Sequence, residues 1–334
     1  MTKKALILHH EYYNSFLNKN IGYFIKTCLD NGIKVNFLTQ KAHDDYNNCW
    51  GERFKVTVEK LELKNIKGFD YVWLYPFHKH LILLIFLLKL FGSKVILKMD
   101  GVRLGWKKGL FVSFLANYIL VESKTVANSF INKKRLVSFS SGLNIENIEK
   151  INWLSKKIKR QKTILYSGRI VKSKGLDRII KIFIKLIKGN VIDAKWKLKV
   201  VGKIVEKNYF EKIKKMLKKS GFSHRVIFLP EMLEDKYYAE ILKASLIVLP
   251  TRGEGFPNVF ADSFFSKRLF LTTQGAKCKN AILDKTFYCK NTNFALEKSF
   301  IKIINNLDNY YQKFESIYNS EDFAVTNNIF KNLL

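Results

Sequence analysis

The stretch Leu249-Pro-Thr-Arg-Gly-Glu-Gly-Phe-Pro-Asn-Val-Phe-Ala-Asp262 decides how this chain folds. It follows a short apolar run, Leu246–Leu249, that predicts a buried strand. Two glycines and Pro257 then interrupt any regular element. From Val259 onward the apolar spacing becomes helical. The stretch therefore predicts a strand, a tight loop and a helix in immediate succession.

Two carboxylates lie in this stretch. Glu254 stands in the loop, and Asp262 follows eight residues later, inside the predicted helix. Carboxylates accept hydrogen bonds from hydroxyl groups, and the open backbone amides at a helix start attract anions. A sugar or ribose carried on a phosphate group is the ligand that suits this combination.

A second strand-loop-helix unit begins at Thr163. A strand over Thr163–Tyr166 is followed by Gly168, which allows a tight turn, and by two cations in the loop, Arg169 and Lys174. After Gly175 the spacing predicts a helix with an apolar face at Leu176, Ile179, Ile180, Phe183 and Ile187 and a charged face at Arg178, Lys181, Lys185 and Lys188. Fixed cations after a strand can stabilise the charge of a departing diphosphate.

These two segments resemble known motifs. Glu254-Gly-Phe-Pro-Asn-Val with Asp262 is similar to the E-x7-E signature of GT-B glycosyltransferases of family GT4, with Asp in place of the second Glu. Gly168-Arg169 through Lys174-Gly175 is similar to the G-R-x4-K-G motif of the same family. The resemblance is of the bacterial surface-polysaccharide type.

The resemblance implies an α/β protein with the GT-B fold, in which two Rossmann-like domains face each other across a cleft. The expected parts are an N-terminal acceptor-side domain over 1–155, a nucleotide-sugar-binding domain over 156–310 and a C-terminal helical segment over 311–334 that crosses back to the first domain. The basic run 156–162 is the expected linker.

The resemblance also implies roles for individual residues. Glu254 and Asp100 are the catalytic candidates, with Glu254 on the hydroxyls of the donor sugar. Arg169 and Lys174 would hold the diphosphate, and Asp262 the ribose. The remaining donor-binding candidates are Gly168, Gly255, Phe256, Pro257, Asn258 and Val259.

The first half of the chain alternates strand-like and helical runs, which predicts a parallel sheet covered on both faces. The expected strands are Ala5–His9, Lys34–Thr39, Tyr71–Tyr75, Lys94–Met99, Tyr118–Val121 and Leu136–Phe139. Three residues at or after the ends of these strands are candidates for acceptor binding: His9, His10 and Arg103. An ordinary loop histidine is the alternative for His9 and His10, and a helix cap is the alternative for Asp100.

Composition sets wider limits. The chain has 334 residues and a net charge of +31, with 23 basic against 12 acidic residues in 1–155 and 36 against 16 in 156–334. Such a charge favours anionic partners, including nucleotide phosphates and anionic membrane surfaces. The four cysteines are scattered without C-x-x-C spacing, which argues against a zinc site or a disulfide framework and favours the reducing cytoplasm. The apolar run 81–88 is too short to span a bilayer and is expected to be a buried helix, with an interfacial helix as the alternative.

The resemblance thus implies a retaining, metal-independent glycosyltransferase of hexosyltransferase type. It would use a nucleotide diphosphate sugar, UDP-linked in the first place and GDP-linked in the second, and no cofactor. The expected acceptor is a polysaccharide or lipid-linked glycan of capsule, O-antigen or lipopolysaccharide assembly, met at the inner face of the cytoplasmic membrane as a peripheral protein. The alternatives are a GT-B sugar-nucleotide epimerase, an inactive relative that binds sugar nucleotides, and a basic nucleic-acid-binding protein, for which no recognition motif is present.

Overall fold

The computed structural model describes residues 2–12, 20–42, 51–76, 80–99, 106–121, 127–128, 130–138, 145–193, 195–232, 234–254, 257–276 and 287–318. The chain divides into two compact units, with the division between Ser141 and Gly142. Each unit contains one large parallel sheet, so the predicted α/β class is confirmed for both halves.

The first unit is built on a seven-stranded parallel sheet in the order β5-β3-β1-β6-β7-β8-β9. Its strands are β1 (Lys4–Leu8), β3 (Lys34–Thr39), β5 (Phe54–Val58), β6 (Tyr71–Leu74), β7 (Lys94–Met99), β8 (Tyr118–Val121) and β9 (Leu136–Ser138), and β2 (Glu11–Tyr12) pairs separately with β4 (Lys41–Ala42). Its helices are α1 (Asn20–Asp30), α2 (Leu63–Ile66), α3 (Leu81–Leu90) and α4 (Trp106–Leu115).

Alternation along the strands gives this sheet a core on each face. Ala5 and Ile7 of β1 belong to one buried cluster, and Leu6 and Leu8 belong to the other. Successive side chains of a strand point to opposite faces, so a run that is apolar throughout is buried on both. The six predicted strands are observed with shifts of one residue at most at each end, and β5 is an edge strand that sequence analysis missed.

The second unit repeats the design with six parallel strands in the order β12-β11-β10-β13-β14-β15. These strands are β10 (Thr163–Ser167), β11 (Lys197–Val201), β12 (Val226–Leu229), β13 (Leu246–Leu249), β14 (Phe270–Thr273) and β15 (Tyr288–Cys289). Its helices are α5 (Ile145–Ser155), α6 (Leu176–Lys188), α7 (Lys207–Ser220), α8 (Glu234–Lys243), α9 (Asn258–Phe265), α10 (Asn293–Ile304) and α11 (Leu307–Tyr318).

The division between the units lies before the predicted boundary at 155/156. Helix α5 buries Ile151 and Leu154 in the core of the second unit, and Lys150 forms an ion pair of 2.8 Å with Asp235 on α8. The basic run 156–162 therefore lies within the second unit and joins α5 to β10. In the C-terminal segment, α11 packs Tyr310 and Tyr311 into the same core, and the rest of that segment lies outside the described residues.

Both sheets place their first strand in the middle. The chain runs from β10 outward to β12 on one side, returns beside β10 as β13 and then continues outward to β15. In the first unit, β1 and β6 are neighbours for the same reason. In such sheets ligands bind at the carboxyl ends of the two strands where the order reverses. None of the helices in the described ranges has the length and apolarity needed to cross a bilayer.

Candidate active site

The loops that leave β10 and β13 pack against one another at this reversal point of the second unit. Gly175 has a φ of +75°, and a Cβ atom there would lie 2.1 Å from the carbonyl oxygen of Pro250. A Cβ on Gly275, after β14, would lie 2.2 Å from the oxygen of Thr251. Glycine is needed at both positions because the backbones approach closely.

A third close approach joins the loops after β10 and β11. A Cβ on Gly202 would lie 2.1 Å from the carbonyl oxygen of Gly168. The amides of Gly168 and Ile170 donate to Val201 at 3.0 Å and to Lys203 at 2.8 Å. The single glycine after β11 is thus explained by its contact with Gly168.

Arg252 ties the β13 loop to the β10 loop. Its guanidinium donates two hydrogen bonds to the carboxylate of Asp177, at 2.9 and 2.8 Å, and a third to the carbonyl oxygen of Lys172 at 2.6 Å. Its backbone amide donates to Ser173 at 2.7 Å. The 3₁₀ turn Lys172–Lys174 is thereby held against the loop that carries Glu254.

As a result, the two motifs predicted from sequence meet. The ammonium of Lys174 forms a hydrogen-bonded ion pair with Oε1 of Glu254, and the two side chains are only 11% and 17% exposed. The backbone amide of Glu254 donates to Gly275 at 2.9 Å, which fixes the residue against the β14 turn. Oε2 of Glu254 is buried and has no hydrogen-bond partner among the described residues. A buried carboxylate oxygen without a donor is unfavourable, so a ligand hydroxyl would stabilise it.

Asp177 is the second acid of this region. Burial alone would raise the pKa of its carboxyl, but hydrogen bonds from Arg252 and Tyr209 outweigh burial and place the pKa below its ordinary value. The Tyr209 hydroxyl donates to Asp177 Oδ1 at 2.6 Å and accepts from the Asp177 amide at 2.9 Å. Asp177 therefore stays ionised and anchors Arg252.

Arg178 corrects the predicted charged face of α6. It is 3% exposed, whereas Lys181, Lys185 and Lys188 are exposed as expected. Its guanidinium donates to Asn293 at 2.8 Å, to Asn291 at 2.7 Å and to the oxygen of Pro250 at 3.0 Å. Burial and then the charge of Arg252 lower the pKa of Arg178. The prediction was wrong because loops after β13 and β15 cover the first turn of α6.

Asp262 lies on α9, where the sequence places it, and is 8% exposed. Its Oδ2 accepts a hydrogen bond of 2.8 Å from the hydroxyl of Tyr237 on α8. The same hydroxyl lies 3.1 Å from Oγ of Ser167, the last residue of β10. Burial, followed by the charge of Asp262, raises the pKa of Tyr237 well above its ordinary value. Tyr237 therefore stays protonated and orients Asp262 relative to the strand that precedes Gly168.

The other predicted donor residues differ in accessibility. Arg169 is exposed, and its backbone oxygen accepts a 3.0 Å hydrogen bond from Tyr166. Asn258 is exposed, and Pro257 is buried. Val259 is 6% exposed and packs into the core, so a donor contact there would involve its backbone. Gly255 and Phe256 lie outside the described residues.

In the first unit, the acceptor candidates His9 and His10 follow β1. The ring of His9 packs edge-on against Tyr75, the residue after β6, with 4.8 Å between centroids, and stacks on His10 at 4.5 Å. His9 Nδ1 lies 2.6 Å from the oxygen of Glu11. The remaining candidates of this unit, Asp100 and Arg103, lie outside the described residues.

At the carboxyl ends of β10 and β13, the second unit thus combines two cations with a carboxylate that has one oxygen without a described hydrogen-bond partner. Lys174 and Arg169 provide positive charge on the loop after β10, and Glu254 Oε2 provides a hydrogen-bond acceptor on the loop after β13. This arrangement suits a ligand with both a diphosphate and sugar hydroxyls.

The sequence profile of the family described as "Glycosyl transferases group 1" matches residues 147–314. This match covers half of the chain and contains the whole site in the second unit. The chain belongs to the group 1 glycosyltransferase family.

Two curated relatives agree with this group 1 membership. An "uncharacterized glycosyltransferase" of Haemophilus influenzae is 29% identical over 169 residues, 49% of this chain and 46% of its own length. One of Methanocaldococcus jannaschii is 30% identical over 148 residues, 42% of this chain and 36% of its own length. The chain therefore spans less than half the length of the curated relatives it matches.

Solved structures show the fold. The Anabaena protein HepE, solved with UDP and glucose, superposes with a TM-score of 0.76 at 11% identity over 99% of this chain and 98% of its own. WaaG, a glycosyltransferase involved in lipopolysaccharide biosynthesis, gives a TM-score of 0.66 at 14% identity over 99% of both chains. These neighbours are GT-B glycosyltransferases, and the predicted GT-B fold with two Rossmann-like domains is confirmed for this group 1 member.

Sequence analysis missed four side chains of the site: Asp177, Tyr209, Tyr237 and Arg252. An arginine in the glycine-rich loop, two residues before Glu254, was the one available signal. The tyrosines reach the site from helices that follow other strands, and no local spacing indicates this.

Proposed function

We propose that this group 1 protein is a retaining GT4 glycosyltransferase that transfers a hexose from a nucleotide diphosphate sugar to a glycan hydroxyl. UDP is the first candidate nucleotide and GDP the second. The observation that supports this proposal best is the meeting of Lys174 with Glu254, whose Oε2 is buried without a hydrogen-bond partner among the described residues.

In the proposed reaction, the bond between the anomeric carbon and the diphosphate oxygen breaks, and the acceptor oxygen bonds to the same face of that carbon. The acceptor proton leaves with the diphosphate. Negative charge grows on the diphosphate, and Arg169 and Lys174 stabilise it. These side-chain cations support the proposal that no metal is required. Glu254 orients the donor sugar, while Tyr237 orients Asp262 towards the ribose.

The nature of the acceptor rests on weaker support. The net charge of +31 favours an acceptor at an anionic surface. One structural neighbour, WaaG, is itself involved in lipopolysaccharide biosynthesis. We therefore propose a growing surface polysaccharide or a lipid-linked glycan at the inner face of the cytoplasmic membrane, reached by peripheral attachment.

The deciding experiment is a screen of UDP-, GDP- and ADP-sugars for binding and slow hydrolysis, with and without EDTA. Lys174→Met should lower kcat/KM for the accepted donor about a hundredfold to a thousandfold. Lys172→Met is the matched control, since Lys172 is an exposed neighbour in the same turn. Proton NMR of the released sugar would establish retention. Stabilisation by an oligonucleotide with no response to any nucleotide sugar would contradict the proposal.

One variant, together with NMR of the donor sugar, distinguishes a transferase from the rival epimerase. Glu254→Gln removes the negative charge yet keeps an oxygen for the donor hydroxyl, so sugar transfer should fall while nucleotide binding persists. An epimerase would instead change the configuration of the donor sugar without releasing nucleotide, which NMR detects directly.

A further inference from the structure

Helix α3 is apolar on both its buried and its exposed side. Leu81, Leu84, Ile85 and Leu88 pack into the first unit, as the sequence predicts for a buried helix. The opposite side, however, presents Leu83, Phe86 and Leu90, which are 55%, 49% and 65% exposed. Only half of the prediction is therefore confirmed, and the exposed half agrees with the interfacial alternative.

Helix α4 extends this apolar surface. It contacts α3 and exposes Phe111 and Phe114, which are 55% and 56% accessible and lie one helical turn apart. The ammonium of Lys89, on α3, donates to Asn117 just beyond α4 at 3.3 Å. We call Leu83, Phe86, Leu90, Phe111 and Phe114 the α3–α4 face.

The sequence around this face is basic. Residues 76–121, which include both helices, contain seven lysines and arginines, of which Lys98 is buried, and one acidic residue. Lys89 is exposed beside Leu90. The segment that follows β8 brings further exposed groups to the end of α4: Arg135 donates to Ala116 at 2.5 Å, and Ile131, Lys133 and Lys134 next to it are exposed.

We propose that the α3–α4 face docks onto an anionic lipid bilayer. Large apolar side chains bordered by lysines suit the boundary between acyl chains and anionic headgroups. A second copy of the chain fits less well, because a symmetric contact would bury this face of both copies and bring their basic borders together. This inference deepens the proposed function by naming the surface that would bring the enzyme to a lipid-linked acceptor.

Insertion would be shallow. Helix α3 has ten residues and is about 15 Å long, roughly half the thickness of a bilayer core. Leu81, Leu84 and Leu88 stay in the protein core, while Phe86 and Phe111 enter the interface. Binding should therefore depend on both apolar contact and headgroup charge.

Flotation with vesicles tests the proposal on the full chain. We expect it to float with phosphatidylcholine vesicles containing about one third phosphatidylglycerol, and to be released by high salt. The double variant Phe86→Ser, Phe111→Ser should reduce the bound fraction at least fivefold or so. Phe294→Ser is the matched control, because Phe294 is 76% exposed on α10 of the other unit. Lys133→Glu with Lys134→Glu should weaken binding to anionic vesicles alone.

Three results would overturn the docking surface: no flotation of the wild type, equal flotation of the double variant, or a dimer in sedimentation that the double variant dissolves. A thermal shift with UDP on the same samples separates this failure from that of the enzymatic proposal. A protein that binds UDP but ignores vesicles disproves the docking surface and the peripheral attachment, but not the sugar transfer. One that floats but ignores all nucleotides disproves the enzymatic function, but not the docking surface.

Discussion

The two sheets of this protein reverse their strand order in the same way but carry different chemistry at the reversal point. In the second unit, the loops after β10 and β13 bring together Lys174, Glu254 and Arg252, with glycines at the closest approaches. In the first unit, the residues after β1 and β6 are His9, His10 and Tyr75, packed ring against ring. The loops of the second unit present cations, which suit an anionic ligand, and those of the first unit present aromatic and imidazole rings, which suit the predicted acceptor sugar. The same topology thus carries different side chains because the loops differ.

The strongest test of this comparison is Gly175→Ala. The added methyl group would lie 2.1 Å from the Pro250 oxygen, which is a steric overlap, and the alanine would have to adopt a φ of +75°. We expect a loss of about 2–4 kcal/mol in the free energy of unfolding, together with weaker nucleotide binding. Urea titration and a UDP thermal shift measure the two effects.

Gly32→Ala is the matched control in the first unit. Gly32 has a φ of +73°, and nothing lies within 4 Å of its Cβ position. Only the conformational cost of about 1 kcal/mol should appear there, with nucleotide binding unchanged. Equal losses in both variants would show that the close approach at Gly175 is not essential.

The next test removes the anchor of Arg252. Asp177→Asn should lower the free energy of unfolding by about 1–2 kcal/mol at neutral pH and weaken donor binding, because the turn with Lys174 is released from the β13 loop. Asp308→Asn is the control, since its pair with Arg160 is exposed, with Asp308 90% accessible.

The effect of Asp177→Asn should depend on pH. The pKa of Asp177 is lower in the folded protein than in the unfolded chain, so its contribution is complete above the ordinary carboxyl value of about 4. The contribution is then lost as the pH falls through the folded value. Urea titrations of wild type and variant should therefore converge in acid. A constant difference at all pH values would exclude the ionised Asp177 as the source.

The sequence predicts the residues that would contact the ligand, Lys174 and Glu254, better than the residues that hold their loops together, Asp177 and Arg252. Local spacing identifies Lys174 and Glu254, because each follows a recognisable strand. The partner of Arg252 is 75 residues away, and only the three-dimensional order of strands brings Asp177 to it. Helical periodicity places Arg178 on the solvent side but does not register the neighbouring loops that cover it. In α3, a run of uniform apolarity gives no periodic signal, so the exposed side cannot be distinguished from the buried one.

A smaller effect is expected from Tyr237→Phe, which removes the 2.8 Å hydrogen bond from the Tyr237 hydroxyl to Asp262 while keeping the ring in the core. If Asp262 binds the ribose, KM for the nucleotide sugar should rise about fivefold to tenfold with little change in kcat. Tyr311→Phe is the control, because its buried hydroxyl donates to Ser245 at 2.9 Å outside the loops of the site. A drop in kcat with an unchanged KM would instead place Tyr237 in the chemical step.

The smallest effect should come from the loop after β1 in the first unit. His10 is exposed and stacks on His9, so His10→Ala leaves the contact between His9 and Tyr75 intact. If the loop after β1 binds the acceptor, KM for a glycan acceptor should rise about threefold, since a single exposed ring contact contributes little. KM for the donor and hydrolysis of the donor by water should not change, because Lys174 and Glu254 are untouched. Initial rates with each substrate varied in turn separate the two constants. A rise in donor KM alone would assign His10 to the nucleotide sugar. The contrast between anion-binding loops in the second unit and hydroxyl-binding loops in the first unit would then no longer hold.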